Sequence, residues 1–158
     1  METFENDGAA VRFPPPLVYL MAVIAGGLLH YFLFPLPLVL PRTARVGVAV
    51  LTALMGVALM GSAFVLFRRT GQDPKPWKST PEVISTGIYR FTRNPIYMGM
   101  ALIQLSIGIG LGNGWIVALV PAVLVIIYAI AIRHEEAYLE RKFGEAYTNY
   151  KASVRRWL

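Results

Sequence analysis

The chain has no cysteine and only two histidines among its 158 residues. The first absence excludes disulfides and thiol chemistry, and the two together leave no plausible zinc set, so no metal site is expected. Charge is sparse as well: 15% of residues are Asp, Glu, Lys or Arg, against 56% hydrophobic. The sequence also lacks an internal repeat, a low-complexity tract and any polar segment large enough for a separate soluble catalytic domain. Nor is there a cationic start ahead of the first apolar run, whose leader carries Glu2, Glu5 and Asp7 with only Arg12. Such a leader does not suit a cleaved signal peptide.

What remains is mostly apolar. A mean hydropathy of +0.53 moves the expectation from soluble domain to membrane protein. Four apolar runs, at roughly 17–34, 44–67, 96–112 and 114–132, are each near the ~20 residues that cross ~30 Å of hydrocarbon. Only Gly112-Asn113-Gly114 separates the third from the fourth, so these two form an antiparallel hairpin. The triplet Pro14-Pro15-Pro16 cannot be helical and marks the membrane surface before the first span. Residues 133–150 are too short and polar for a span but are amphipathic. The expected fold is therefore an all-α integral membrane protein with four transmembrane helices and an amphipathic C-terminal helix. All 158 residues form one membrane-embedded domain in this reading.

The net charge of +6 is unevenly placed. Arg68, Arg69, Lys75, Lys78, Arg90 and Arg93 lie between spans two and three, and Arg133, Arg141, Lys142, Lys151, Arg155 and Arg156 follow span four. The connection between spans one and two has only Arg42 and Arg45, and the last hairpin turn has no cation. The positive-inside rule puts both termini and the long central loop in the cytoplasm, at an inner or plasma membrane. This distribution explains the basic charge by topology and anionic headgroups, with no nucleic-acid partner.

Two polar sets stand out. Tyr89, Arg90, Arg93, Asn94 and Tyr97 lead into span three, and His134, Glu135 and Glu136 leave span four. The hairpin brings both sets to the same end, where hydrogen-bonding groups are costly unless something uses them. On a helical wheel Ile132, Leu139 and Phe143 form a stripe that Tyr147, Tyr150 and Val154 continue. Glu136 falls inside this stripe and Glu135 at its edge. Either Arg133 pairs with Glu136 locally, or a carboxylate faces the protein and requires a cationic or hydroxyl-rich partner. Each residue also has a plain structural reading. Arg90 and Arg93 can pair with lipid phosphates, or one can fix an anionic substrate. Tyr89, Tyr97, Trp77 and Trp115 suit an interfacial belt. His30 reads as structural, Gln104 as an interhelical hydrogen bonder, and Gly47, Gly56 and Gly61 as small residues that let helices approach.

The run Arg93-Asn94-Pro95-Ile96-Tyr97-Met98-Gly99 resembles the R-[HN]-P-x-Y-x-G element of the isoprenylcysteine carboxyl methyltransferase family and its phospholipid methyltransferase relatives. The run from Glu135-Glu136 through Leu139 and Phe143-Gly144 to Tyr147 is similar to that family's E-E-x-x-L-x-x-x-F-G-x-x-Y element, and the likeness covers most of residues 69–158. It implies an integral membrane enzyme that transfers a methyl group from S-adenosylmethionine to a small lipophilic acceptor. Carried over, Tyr89, Arg93, Asn94, Pro95, Tyr97, Gly99, Glu135 and Glu136 would bind the cofactor. Arg93 and Asn94 would position the reacting groups, and Arg90 would hold the substrate. Asn94 stands where the isoprenylcysteine enzymes have His, and an amide is no general base near neutral pH. The acceptor therefore stays open between a carboxylate and an ethanolamine headgroup. A small transporter or a non-catalytic membrane partner is the rival of another class.

Overall fold

The computed structural model describes residues 8–11 and 13–158, so Glu2, Glu5, Asp7 and Arg12 lie outside the described residues. Among the described residues every regular element is helical: α1 (Pro15–Leu33), α2 (Arg42–Arg69), α3 (Pro95–Leu111), α4 (Gly114–Phe143) and α5 (Glu145–Ser153). A single 3₁₀ turn, Gly87–Arg90, interrupts the irregular loop between α2 and α3.

Three helices, α1, α2 and α4, are long and apolar enough to cross a membrane. Helix α3 has 17 residues, about 26 Å at 1.5 Å per residue, a little short of ~30 Å of hydrocarbon. It is the central helix, packed against α2 along most of its length and touched by α1 and α4. Its neighbours turn apolar side chains outward: Met21 and Ile24 on α1, and Leu51, Leu54 and Met55 on α2, are all more than half exposed.

Close approach at the centre rests on glycine. A Cβ on Gly99 of α3 would stand 2.4 Å from Met60 Cγ and 2.7 Å from the Gly56 carbonyl oxygen of α2. Gly56 has the expected packing role, whereas Gly47 and Gly61 have nothing within 4 Å of an added Cβ. The hairpin turn is as expected too. Gly112 adopts φ 69°, and the Asn113 side chain caps α4 by accepting from the N–H groups of Trp115 and Ile116. The mid-helix amide Gln104 donates to the Ile116 carbonyl at 3.1 Å, an interhelical bond within the hairpin. His30 accepts from the Leu36 N–H at 3.3 Å and Trp115 donates to the Phe34 carbonyl at 2.9 Å, both at the hairpin-turn end.

Three boundaries differ from expectation. Pro15 and Pro16 open α1 instead of preceding it, because the first turn of a helix needs no N–H donor from either. Helix α4 does not stop at residue 132: it passes through a π turn, Tyr128–Ile132, and runs on to Phe143. The amphipathic tail is two helices, broken at Gly144, whose φ of 53° and ψ of −124° favour glycine.

Candidate active site

The Arg93-Asn94-Pro95 turn is where loop becomes α3. Proline at the first helical position fixes the helix start, and Asn94 precedes it with no side-chain cap of its own. The turn is held from elsewhere. The backbone N–H of Arg93 donates to the Arg155 carbonyl at 3.0 Å. The Thr92 hydroxyl and the Asn94 side-chain amide both donate to the Arg156 carbonyl, at 3.1 and 3.0 Å. The C-terminal segment of residues 154–157 is thus strapped across the turn. Below it, the buried Tyr19 of α1 donates to the Tyr97 carbonyl at 2.8 Å.

The two glutamates of α4 have different surroundings. Glu136 receives the Arg156 guanidinium through both oxygens, at 2.9 and 3.0 Å, and its Oε1 is 3.2 Å from Arg93 Nη1. Arg133 is not its partner; that side chain donates to His134 Nε2 at 3.3 Å. Glu135 accepts a hydrogen bond from the Tyr97 hydroxyl, which joins the two sequence elements directly. The charges leave their mark on groups around them. Its bond to Glu136 holds the Arg156 guanidinium above its ordinary range. Burial, then the charge of Glu136, pushes the Tyr147 phenol up to about 12, with Arg93 pulling the other way. Burial also raises Tyr89, with the charge of Glu135 adding to it.

These residues wall a cavity of about 310 Å³. Its polar side is Tyr89, Arg93, Asn94, Tyr97, Glu135 and Glu136; its apolar side includes Phe64, Phe67, Ile96, Met100 and Leu139. The loop from Gln72 to Ile84 covers it. That cover is tied to α4: the Thr80 N–H donates to the Tyr138 hydroxyl at 3.2 Å, and Lys142 donates to Ser79 Oγ at 2.8 Å. The leader joins it as well, through Ala9 N–H to the Pro76 carbonyl at 3.0 Å. Three buried polar atoms of wall residues, Arg93 Nε, Arg93 Nη1 and Gln72 Oε1, have no hydrogen-bond partner among the described residues.

Of the residues singled out in the sequence, Tyr89, Arg93, Asn94, Pro95, Tyr97, Glu135 and Glu136 line this one cavity. Gly99 does not; it lies against α2, where its lack of a side chain is used for packing. Arg90 does not either. It is exposed and lines a separate surface cleft with Ser85, Asn149, Tyr150, Ser153 and Val154. The site also draws on residues that the sequence does not single out for it, among them Tyr19, Gln72, Thr92, Tyr138, Lys142 and Arg156. In the sequence Arg156 and Lys142 read as part of the basic tail and of the family likeness, without a role in the site. Glu136, inside an apolar stripe with no cation three or four residues downstream, is the one signal in the sequence for a more distant partner.

A helical integral membrane protein with a polar-walled cavity at one end of its central hairpin is the class that this fold and site define. The chain belongs to the family described as phospholipid methyltransferase, whose model matches residues 44–146. An uncharacterized protein of Haemophilus influenzae is 41% identical over 63 residues, 40% of this chain and all of that protein. Protein-S-isoprenylcysteine O-methyltransferase of Schizosaccharomyces pombe is 35% identical over 72 residues, 46% of this chain but 30% of the yeast protein. No solved structure matches the chain.

Proposed function

We propose that this chain is an S-adenosylmethionine-dependent membrane methyltransferase that modifies a small lipophilic acceptor. The observation that carries the reading is one cavity with a polar wall built from both sequence elements and an apolar wall built from membrane helices. Its residues fit the cofactor. Arg93 Nε is a buried donor without a partner and suits a carboxylate, while Gln72 Oε1 is a buried acceptor without one. Glu135, engaged by the Tyr97 hydroxyl, keeps its second oxygen for an ammonium group or ribose hydroxyls. Glu136 is already engaged by arginines, chiefly by Arg156 through both oxygens, so Arg93 and Glu135 are the charged groups left for the ligand.

When bound, the cofactor supplies a methyl group on a positively charged sulfur. The protein's share is then alignment and exclusion of water. Arg93 and Asn94 position, Tyr89 and Tyr97 bound the polar side, and the loop over the cavity keeps water out. Phe64 is both exposed to the outside and part of the cavity wall, which supports sideways entry of the acceptor from the bilayer. The topology we adopt is four spans, with α3 the short one, in a single domain of residues 1–158. The cavity and both termini face the cytoplasm at an inner or plasma membrane, in line with the distribution of Lys and Arg.

A second reading, N-methylation of an ethanolamine headgroup, is favoured by the position of Arg90. Its cleft, with Ser85, Asn149 and Ser153, offers a cation and hydroxyls to a headgroup phosphate beside the cavity. A transporter would need ionisable groups at mid-membrane depth. A non-catalytic partner would tolerate loss of Glu135.

The test is calorimetric titration of S-adenosylhomocysteine into the purified protein and its Glu135→Ala variant, followed by transfer of labelled methyl groups to carboxylate and ethanolamine lipids. Saturable binding lost in the folded variant supports the enzyme. No binding by well-folded wild type, in lipid and in detergent, ends the enzyme reading.

A further inference from the structure

Arg93 occupies an odd electrostatic position. Its side chain is 9% exposed and faces a buried carboxylate, yet neither Nε nor Nη1 makes a hydrogen bond among the described residues. The ion pair with Glu136 brings Nη1 to 3.2 Å from Oε1 without a hydrogen bond. The reason lies in Arg156. Its guanidinium takes both oxygens of Glu136 in the parallel two-bond arrangement that is the strongest available to such a pair. Glu136 is thereby turned towards the tail, and Arg93, which hydrogen-bonds the Tyr147 side chain, keeps charge compensation while its Nε and Nη1 donors stay unpaired among the described residues. A buried guanidinium in that condition is poised for an oxyanion.

We infer that Arg156 is a positioning residue: by capturing Glu136 it keeps Arg93 free to bind the carboxylate of the cofactor in the cavity. The inference rests on the methyltransferase reading. Without Arg156, the Glu136 carboxylate rotates onto Arg93, forms the two-bond pair with it, and withdraws the donors from the cavity. The anion could in principle belong to the cofactor or to an acidic acceptor, and two nucleosides distinguish them. S-adenosylhomocysteine has the carboxylate; 5′-methylthioadenosine has the same adenosine and sulfur without the amino-acid group.

The experiment measures affinity of both nucleosides for wild type, Arg156→Ala, Arg156→Lys and the double variant Arg156→Ala with Glu136→Gln, each checked for folding by thermal unfolding. We expect wild type to prefer S-adenosylhomocysteine. Arg156→Ala loses that preference about tenfold or more, the loss of charge-assisted hydrogen bonds, with methylthioadenosine little changed. Arg156→Lys restores it only in part, because an ammonium cannot make the two-bond pair. The double variant recovers the preference, since no carboxylate remains to occupy Arg93. A general unfolding role for Arg156 predicts the reverse: both nucleosides weaken together and the double variant is worse still, which overturns the inference. Equal affinity of wild type for the two nucleosides overturns it as well, because the anion is then not the cofactor's. Failure of wild type to bind either nucleoside overturns the parent reading and this inference with it.

Discussion

The Tyr97 hydroxyl donates a hydrogen bond to Glu135, closing a gap of 38 positions in the chain. One residue belongs to the first turn of α3 and the other to α4 just past its π turn. The bond therefore fixes the rotation of one helix against the other at the end where the cavity opens. It also holds the carboxylate in place before any guest arrives, which reduces the ordering cost of binding.

Replacing Tyr97 by Phe should therefore weaken S-adenosylhomocysteine about fivefold to tenfold, the worth of about 1 kcal/mol for one hydrogen bond. The fold should survive, because Tyr19 bonds to the Tyr97 backbone and not to its ring. Titration calorimetry reads the first effect and thermal unfolding the second. An unchanged affinity would mean that Glu135 is oriented by something else.

Helix contact between α2 and α3 gives a stability prediction with its own control. Gly99→Ala forces a methyl group to within 2.7 Å of the Gly56 carbonyl oxygen, a backbone atom that cannot swing aside. A loss of about 1–3 kcal/mol should follow, as for other overpacked contacts. Gly47→Ala and Gly61→Ala meet nothing within 4 Å and should be neutral or slightly stabilising, since alanine is the better helix former. Thermal unfolding in detergent ranks the three.

Gly144→Ala should also destabilise, by about 1–2 kcal/mol, though for a different reason. No atom lies within 4 Å of the added carbon; the strain is in a backbone conformation that L-residues avoid. The expected outcome is a loosened α5, seen as faster proteolysis after residue 143. Equal cleavage of variant and wild type would count against it.

The loop over the cavity should open when its ties to α4 are cut. Tyr138→Phe removes the acceptor of the Thr80 N–H, and Lys142→Ala removes the donor to Ser79. Hydrogen exchange in residues 73–84 should speed up in the double variant while α2 and α3 keep their protection. Uniform loss of protection would point to global unfolding instead.

Much of this arrangement was legible in the sequence because membrane physics leaves few alternatives. A hairpin enforced by Gly112-Asn113-Gly114 had to bring Tyr97 and Glu135 to the same end, whatever the details of packing. Helix ends were less legible. The π turn at Tyr128–Ile132 leaves no mark in hydropathy, and it let α4 continue past the expected stop at 132. The break at Gly144 was concealed by an apolar stripe that carries on through Tyr147 and Tyr150, both buried. Gly99 sits inside a motif, which drew it towards the ligand when its work is packing. Arg156 was hidden for the opposite reason. A second arginine in a basic tail looks like topology until the chain's return path sets it 2.9 Å from Glu136.

That return path has a consequence for biogenesis. The Arg93 turn is made by the ribosome some sixty residues before the carbonyl groups of Arg155 and Arg156 that complete its hydrogen bonding. All the membrane-crossing helices can insert before those carbonyl groups emerge. A chain caught at that stage is embedded in the bilayer but has an unfinished pocket. The turn that walls the cavity is completed last, after translation has passed residue 156.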